Sequence, residues 1–357
     1  MIENKPFKDL KVIDLSSVLA GPSVGTFFAE LGAHVLKIEH PKNADVTRSW
    51  KLASEDASES VSAYFSAVNY KKDYLSLDLK NEKDYATFID HVQNADILLS
   101  NFKKGDDEKL NVTDEQLRLI NPTLIIGKIT GFGNESDRVA YDLILQAETG
   151  FMSTNGTQES GPVKMPVALI DVLAAHHLKE GLLIALLQRQ VSKKGSTLTV
   201  SLYDAAICSL ANQASNYLME QHIPQRIGSL HPNIAPYGEI FTTKNNDQIT
   251  FAIGSNLHFE KLCTFLKCEE LINDDRFKEN KERVKNRMLL FERLQEKIKL
   301  FETVTLLNAM HQRFVPAGEI KNLEAVFQEQ AAQNLIRTET INGKETKRIT
   351  SIGFQWQ

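Results

Sequence analysis

An α/β fold with a parallel sheet is predicted for the first part of the sequence by two observations. Short apolar strands alternate with amphipathic helices between residues 11 and 133, in the order β-α-β-α. Two longer helical segments, 171–190 and 203–221, then flank a further strand, STLTVSLY. This alternation is typical of a Rossmann-like domain, in which helices cover both faces of the sheet.

The elements of this domain are predicted in chain order from apolar runs and capping residues. KVIDL is a buried strand, and the helix SVGTFFAELG follows with Pro22 near its start and Gly32 at its end. HVLKIE and DYLSLDL are the next strands. Asn81 caps the helix NEKDYATFIDHVQNA, and after the strand DILLSNF a capping box of Thr113 and Gln116 begins the helix TDEQLRLIN. PTLIIGKITGFG is the strand that follows.

The pattern changes near residue 223, where we expect a smaller α+β domain. The segment GEIFTTKNNDQITFAIG is predicted to be a hairpin that turns at Asn245, Asn246 and Asp247. Charged helical patterns follow up to about residue 312. We therefore expect a large domain at residues 1–222, a small domain at 223–317 and a return to the large domain at 318–357.

Composition restricts the partners and the compartment. The 357 residues include 41 basic and 46 acidic side chains, and a net charge of −5 leaves no basic footprint for nucleic acid or an anionic membrane. No apolar run reaches the roughly 18 residues of a membrane span. The three cysteines form no C-x-x-C pair, and no apolar signal segment follows the first residues. A soluble, cytoplasmic protein is expected.

Two common cofactor sites are disfavoured by the sequence. A dinucleotide fingerprint needs G-x-G-x-x-G, but the first turn is SSVLAGPSVG, in which Gly21 and Gly25 are too far apart. We therefore expect no NAD. His176 and His177 are adjacent and point to different sides of a helix, so they cannot form a facial metal pair. No metal is expected either.

Asp171 stands where an apolar run, MPVALI, turns into an apolar helix. Asp is a favoured N-cap residue, because its side chain accepts from the free N–H groups of the first helical turn. The local pattern alone favours a cap. A catalytic carboxylate is the alternative, and only the rest of the chain can decide between the two.

An ordered set of motifs covers most of the chain. The set comprises LKVIDLSSVLAGPSVGTFFAELGAHVLKIEHP, DVTRSW, NYKKDYLSLDLK, ADILLSNF, YDLILQAETGFMSTNG, PVALIDVLAA, SLYDAAI, HPNIAPYGEIFTT, DDRF and VPAGEIKNLEAVF. With it the chain resembles the family III CoA-transferases, the group of formyl-CoA and carnitine-type CoA-transferases. The resemblance implies a CoA-transferase that acts on an acyl-CoA and a small carboxylic acid, with coenzyme A as the bound cofactor. It also implies an interlocked homodimer.

In that family the aspartate at the position of Asp171 is the nucleophile, and we expect it to stay ionised at the helix N-terminus. The resemblance also assigns a set of residues to CoA binding: Val18, Leu19, His40, Lys72, Asn101, Phe102, Lys109, Tyr141 and Asp142. His40 and Lys109 stand where arginines are common, and Leu19 replaces a frequent glutamine. The loop GSLHPNI lacks the glycine run of formyl-CoA transferases, which disfavours a formyl-specific role.

Two alternative functions share the fold. The α-methylacyl-CoA racemases use a histidine where this chain has Tyr141, and a phenol with a pKa of about 10 is a poor base at neutral pH. The residue at this position favours a transferase over a racemase. A non-catalytic acyl-CoA-binding relative is the third interpretation, and the retained Asp171 disfavours it.

Overall fold

The structure is a computed structural model that describes residues 5–355. Its elements up to residue 154 are β1 (Lys11–Asp14), α1 (Ala20–Glu30), β2 (His34–Glu39), α2 (Ala63–Ala67), β3 (Lys72–Ser76), α3 (Glu82–Gln93), β4 (Ile97–Ser100), α4 (Asp106–Lys109), α5 (Asp114–Ile120), β5 (Ile125–Thr130), α6 (Asp142–Glu148) and α7 (Phe151–Thr154). Next come β6 (Gly156–Thr157), β7 (Gly161–Pro162), α8 (Leu169–Ser192), β8 (Thr197–Ser201), α9 (Leu202–Cys208) and α10 (Ala211–Glu220).

The rest of the described chain contains β9 (Tyr237–Thr242), β10 (Gln248–Ala252), α11 (Asn256–Leu266), α12 (Asn280–Lys285), α13 (Arg287–Ile298), α14 (Thr303–Gln312), β11 (Ala317–Glu319), α15 (Leu323–Gln328), α16 (Gln330–Gln333), β12 (Ile336–Ile341) and β13 (Lys344–Ile349). Short 3₁₀ turns lie at Val46–Ser49 and Glu269–Leu271. None of the helices within residues 5–355 combines the length and the apolar character needed to cross a membrane.

Contacts between residues divide the described chain into two compact units. The first comprises residues 5–153, 164–224 and 334–355, and the second comprises 154–163 and 225–333. The domain limits expected from the sequence, after residues 222 and 317, stay a prediction.

A six-stranded parallel sheet forms the centre of the first unit, in the order β3-β2-β1-β4-β5-β8. This confirms the predicted α/β class. Successive strand residues point to opposite faces of a sheet. One face packs Val12, Ile97, Leu99 and Ile125 against α1 and α8, and the other packs Ile13, Leu98 and Ile126 against α3 and α5.

Local capping chemistry sets several helix boundaries as predicted. Asn81 accepts from two N–H groups of α3, and Thr113 and Gln116 form the capping box of α5. The helix predicted over 203–221 is wrong as a single element. It is divided between α9 and α10, where Ala211 has a φ of 47°. A non-glycine residue in this left-handed region interrupts helical geometry.

The second unit has an antiparallel three-stranded sheet in the order β11-β10-β9, with its own buried core from α11, α13 and α14. β9 and β10 form the predicted hairpin, with Asn246 in a left-handed conformation at the turn. Asparagine tolerates that conformation better than most residues.

Candidate active site

A cavity of about 480 Å³ lies at the point where the strand order of the parallel sheet reverses. Strands β2 and β3 lie on one side of β1, whereas β4, β5 and β8 lie on the other. Segments that follow β1, β4 and β5 line the cavity, including Ser17–Ala20 and Asn101–Gly105. Open α/β sheets bind ligands at such a switch point, outside the carboxyl ends of the strands. Asp171 also lines this cavity, which we call the Asp171 cavity.

A second cavity of about 380 Å³ adjoins the first one. We call it the His40 cavity, because His40 lies in its wall with Leu77 and Leu79. Four residues line both cavities, and they therefore form the boundary between them: Ser17, Asn101, Phe102 and Lys103. Together the two cavities provide an extended site with an apolar part and a carboxylate part.

Asp171 is the third residue of α8, not its cap. The N-cap position belongs to Ala168, so the prediction of an Asp171 cap is wrong. Asp171 is only 9% exposed, and its carboxylate accepts no hydrogen bond from residues 5–355. Burial first, and then the negative charge of Asp142, raise its pKa to about 7. The expectation that Asp171 stays fully ionised at neutral pH is therefore corrected.

The N-terminus of α8 is capped by the side chain of Asp142, which lies on α6. Its Oδ1 accepts from the N–H of Ile170 at 2.7 Å, and its Oδ2 accepts from the side-chain amide of Gln146 at 2.7 Å. Gln146 in turn accepts from the N–H of Met165 at 2.8 Å. These bonds fix the segment that leads into Asp171. The structure thus places Asp142 beside the α8 N-terminus, and it does not line either cavity.

Two tyrosines lie around this carboxylate pair. Tyr141 precedes α6, is 50% exposed and lines the Asp171 cavity. Tyr64 stands on α2 in edge-to-face contact with Trp50. Burial raises the pKa of Tyr64 to about 12, and the charge of Asp171 is the next cause. Tyr64 is therefore a neutral phenol near Asp171, and sequence reasoning did not single it out.

Most residues expected at the CoA site lie at the two cavities. Val18, Leu19 and Tyr141 line the Asp171 cavity, His40 lines the His40 cavity, and Asn101 and Phe102 line both. The amide of Asn101 accepts from the N–H of Ser17 at 3.0 Å and donates to its carbonyl at 2.9 Å. The ring of His40 accepts through Nδ1 from two backbone N–H groups, at 3.1 and 3.2 Å.

Lys72 and Lys109 lie outside both cavities. The buried ammonium of Lys72 donates to Asp14 at 2.8 Å, to Asn69 at 2.9 Å and to two backbone carbonyls. Burial lowers the pKa of Lys72 to about 8, although Asp14 acts in the opposite direction. Contact with a phosphate would require this ion pair to open. Lys109 is exposed and pairs with Asp106 at 2.8 Å.

Lys103 is a site residue that the sequence reasoning missed. It is exposed, lies at the boundary of the two cavities, and has no ion-pair partner in the described part of the chain. Its neighbour Lys104 pairs with Glu135 at 3.2 Å. The only local signal for Lys103 is its position directly after Asn101 and Phe102, at the end of a predicted strand.

The fold is an α/β domain with a buried carboxylate at a switch-point cavity, and comparison with known proteins gives the family. The chain belongs to CoA-transferase family III, whose model matches residues 7–357. It is a CoA-transferase of that family, which confirms the resemblance seen in the sequence.

Relatives of known activity and solved structure agree with this assignment. The chain is 34% identical over 334 residues to a succinate–glutarate CoA-transferase of Agrobacterium fabrum, covering 92% of this chain and 83% of the relative. It is 33% identical over 337 residues to an acetyl-CoA:oxalate CoA-transferase of Acetobacter aceti, covering 93% and 85%. A CaiB/BaiF family protein from Brucella suis superposes with a TM-score of 0.86 at 33% identity, covering 99% of this chain and 93% of that one.

Proposed function

We propose that the protein moves CoA from an acyl-CoA thioester to a carboxylic acid, with Asp171 as the nucleophile. The observation that supports this most is the Asp171 carboxylate itself. It is almost buried, has no hydrogen-bond donor among the described residues, and lines a cavity large enough for a pantetheine arm. A carboxylate without solvating donors is a stronger nucleophile than a hydrated one, because no solvent has to leave before it attacks.

The first half of the reaction makes two covalent intermediates. An Oδ of Asp171 attacks the thioester carbonyl carbon, the C–S bond breaks, and CoA leaves as a thiolate, which gives a mixed anhydride. The thiolate then attacks the Asp171 carbonyl carbon of the anhydride. The acyl group leaves as a free carboxylate, and an aspartyl-CoA thioester remains.

The second half repeats these steps with the acceptor. The carboxylate of the acceptor attacks the aspartyl thioester and expels the thiolate again, giving a second mixed anhydride. The thiolate attacks the acyl carbon of the acceptor, and Asp171 leaves as a carboxylate. No proton has to be transferred in any step, so the site needs no general base.

We place CoA across the two cavities, with the thioester at Asp171 and the nucleotide end in the His40 cavity. The apolar side chains of Leu77, Leu79 and Phe102 provide a surface for a purine. Lys103 lies between the two cavities, where the pyrophosphate of a bridging CoA would pass. Because no carboxylate competes for its ammonium, this lysine can pair with a phosphate. Lys72 is left out of this placement, because its ammonium is enclosed.

We propose short dicarboxylic acids as the substrate class. This rests on the relatives, whose names specify succinate and glutarate in one case and oxalate in the other. The amino-acid sequence alone does not identify the acyl-CoA that donates CoA or the carboxylic acid that accepts it. Lys103 is the cation of the cavity that we assign to an anionic ligand, because Lys104, Lys128 and Arg138 are each paired with a carboxylate.

We also propose that the working form is a homodimer. In the first unit, α8 and α10 expose apolar side chains of the kind that an interface between subunits covers, among them Leu187, Val191, Leu218 and Met219. Light scattering during size-exclusion chromatography should give twice the chain mass of 40.2 kDa. The mass of a single chain would contradict the dimer.

The function is tested by following thioesters with chromatography. The protein is incubated with succinyl-CoA and a panel of mono- and dicarboxylic acids, and new CoA thioesters are identified by mass. We expect transfer to at least one dicarboxylic acid, and loss of transfer by several orders of magnitude in Asp171→Asn. Undiminished transfer by Asp171→Asn, or hydrolysis without transfer in the wild type, would exclude the proposal.

A further inference from the structure

The turn after β1 contains a residue in an unfavourable backbone conformation. Val18 has a φ of 75°, in the left-handed region. A β-branched residue adopts this region rarely, since its side chain crowds the following carbonyl. Such a conformation persists only where surrounding contacts impose it, and it is common at active sites. Val18 and the two residues after it line the Asp171 cavity.

The carboxylate of Asp45 holds Val18 in this conformation. Both of its oxygens accept from the N–H of Val18, at 3.2 and 3.3 Å. Asp45 is itself fixed by the N–H of Thr47 at 3.1 Å, by the hydroxyl of Thr47 at 2.7 Å and by the ammonium of Lys37 at 3.2 Å. Its side chain is 1% exposed. A carboxylate with four such partners has one orientation only.

The rest of the turn is equally constrained. Asn101 binds both the N–H and the carbonyl of Ser17, directly before Val18. On the other side, Gly21 lies so close to Ser16 that a Cβ on Gly21 would come within 2.3 Å of its hydroxyl oxygen. The turn is therefore attached before, at and after Val18. Asp45 supplies the attachment at Val18 itself.

The conformation of Val18 decides where α1 starts relative to the nucleophile. The structure gives the N–H groups of Leu19 and Ala20 no acceptor within residues 5–355, and both residues line the cavity that contains Asp171. A changed φ at Val18 would swing this start of α1 away from its present position. Groups that support the reacting carbonyl must be held to within a fraction of an ångström to be effective.

We propose that Asp45 is a positioning residue for CoA transfer, which holds Val18 in its left-handed conformation and so fixes the start of α1 beside Asp171. This inference rests on the proposed function. Asp45 lines the His40 cavity, but its side chain is 1% exposed and its carboxylate is bound to Val18, Thr47 and Lys37, so we assign its effect to Val18 and not to contact with CoA. Asp45 is needed only because valine adopts the left-handed conformation at an energetic cost. With glycine at position 18 that cost disappears, and Asp45 should no longer matter for kcat.

The test is a double-mutant cycle between Asp45→Asn and Val18→Gly. In Asp45→Asn, Oδ1 stays on Thr47 and Oδ2 becomes an NH₂ group, so Val18 loses its 3.2 Å bond, keeps only the 3.3 Å contact with Oδ1 and faces a donor. We expect kcat to fall about tenfold, because the free energy stored in one strained backbone conformation corresponds to a rate factor of about this size. Glycine adopts a left-handed conformation without a side-chain penalty. In the Val18→Gly background the same Asp45→Asn change should lower kcat by less than about threefold.

Thr47→Val is the matched control, because it removes another hydrogen bond of the same carboxylate and leaves the Val18 contact in place. It should retain kcat to within about twofold. If Asp45→Asn does not fold because Lys37 is left unpaired, the cycle is repeated with Lys37→Met present throughout. A loss of kcat on Asp45→Asn that is equal with and without Val18→Gly would overturn the inference.

Amide hydrogen exchange provides a measurement that does not depend on transfer. In Asp45→Asn, the peptide containing residues 16–21 should exchange at least about tenfold faster, because the Val18 N–H loses one of its two acceptor oxygens and faces an NH₂ group. Unchanged exchange there would show that Asp45 does not hold Val18 in place, even if the protein is an active transferase. Conversely, faster exchange in Asp45→Asn, together with a wild type that shows no transfer, would refute the proposed function alone.

Discussion

Replacing Asp171 by asparagine should stabilise the folded protein above neutral pH, although it removes the proposed nucleophile. Burial and the charge of Asp142 raise the pKa of Asp171 to about 7 from an ordinary value of 3.8. The carboxylate is therefore harder to ionise in the folded chain than in the unfolded chain. A neutral asparagine of nearly the same shape removes this penalty.

The size of the gain follows from the pKa difference of about three units. Each unit corresponds to about 1.36 kcal/mol, so ionising Asp171 costs the folded state up to about 4 kcal/mol above pH 7. Between pH 4 and pH 7 the folded state binds more protons than the unfolded state, and wild-type stability declines as the pH rises. At about pH 5 the penalty is only about 1.7 kcal/mol.

Urea unfolding followed by circular dichroism at about pH 8.5 and about pH 5 measures this difference. The control is Asp204→Asn, because Asp204 also occupies the third position of a helix but is exposed. It should change the free energy of unfolding by no more than about 0.5 kcal/mol. An Asp171→Asn variant that is less stable than the wild type, or whose advantage is the same at both pH values, would refute the reasoning.

Three further predictions concern activity and binding. The kcat/KM for acyl-CoA should fall as the pH drops below about 7, because a protonated Asp171 cannot attack; a flat profile from pH 5 to 8 would contradict this. Lys103→Ala should raise the Kd for CoA about tenfold in calorimetry and reduce its salt dependence, whereas the exposed Lys83→Ala on α3 should not. A 2-methylacyl-CoA in deuterated water should gain no α-deuterium, and exchange abolished by Tyr141→Phe would indicate a racemase instead.

Local chemistry made much of the fold predictable. The β-α alternation, the Asn81 cap and the capping box at Thr113 each depend on residues within one turn of the boundary they set. The hairpin turn at Asn246 is equally local. Such elements follow from sequence because the groups that decide them are neighbours in the chain.

The features that the sequence did not reveal depend on partners far apart in the chain. The cap of α8 is supplied by Asp142, so the local pattern at Asp171 suggested a cap that was not needed. Lys72 looks like an ordinary surface cation in its motif, but Asp14, 58 positions earlier, holds it inside the fold. The burial that raises the pKa of Asp171 is likewise a property of the packed site. No spacing in the sequence reports these contacts.

The covalent role of Asp171 is tested most directly by trapping the acyl-enzyme. The protein is incubated with acyl-CoA and hydroxylamine, digested, and the peptide that contains Asp171 is examined by mass spectrometry. An activated acyl group at this side chain would be converted to a hydroxamate, which adds about 15 Da to the peptide and inactivates the enzyme. Omitting acyl-CoA should prevent both changes. Sustained transfer with an unmodified Asp171 peptide would contradict the aspartyl mechanism.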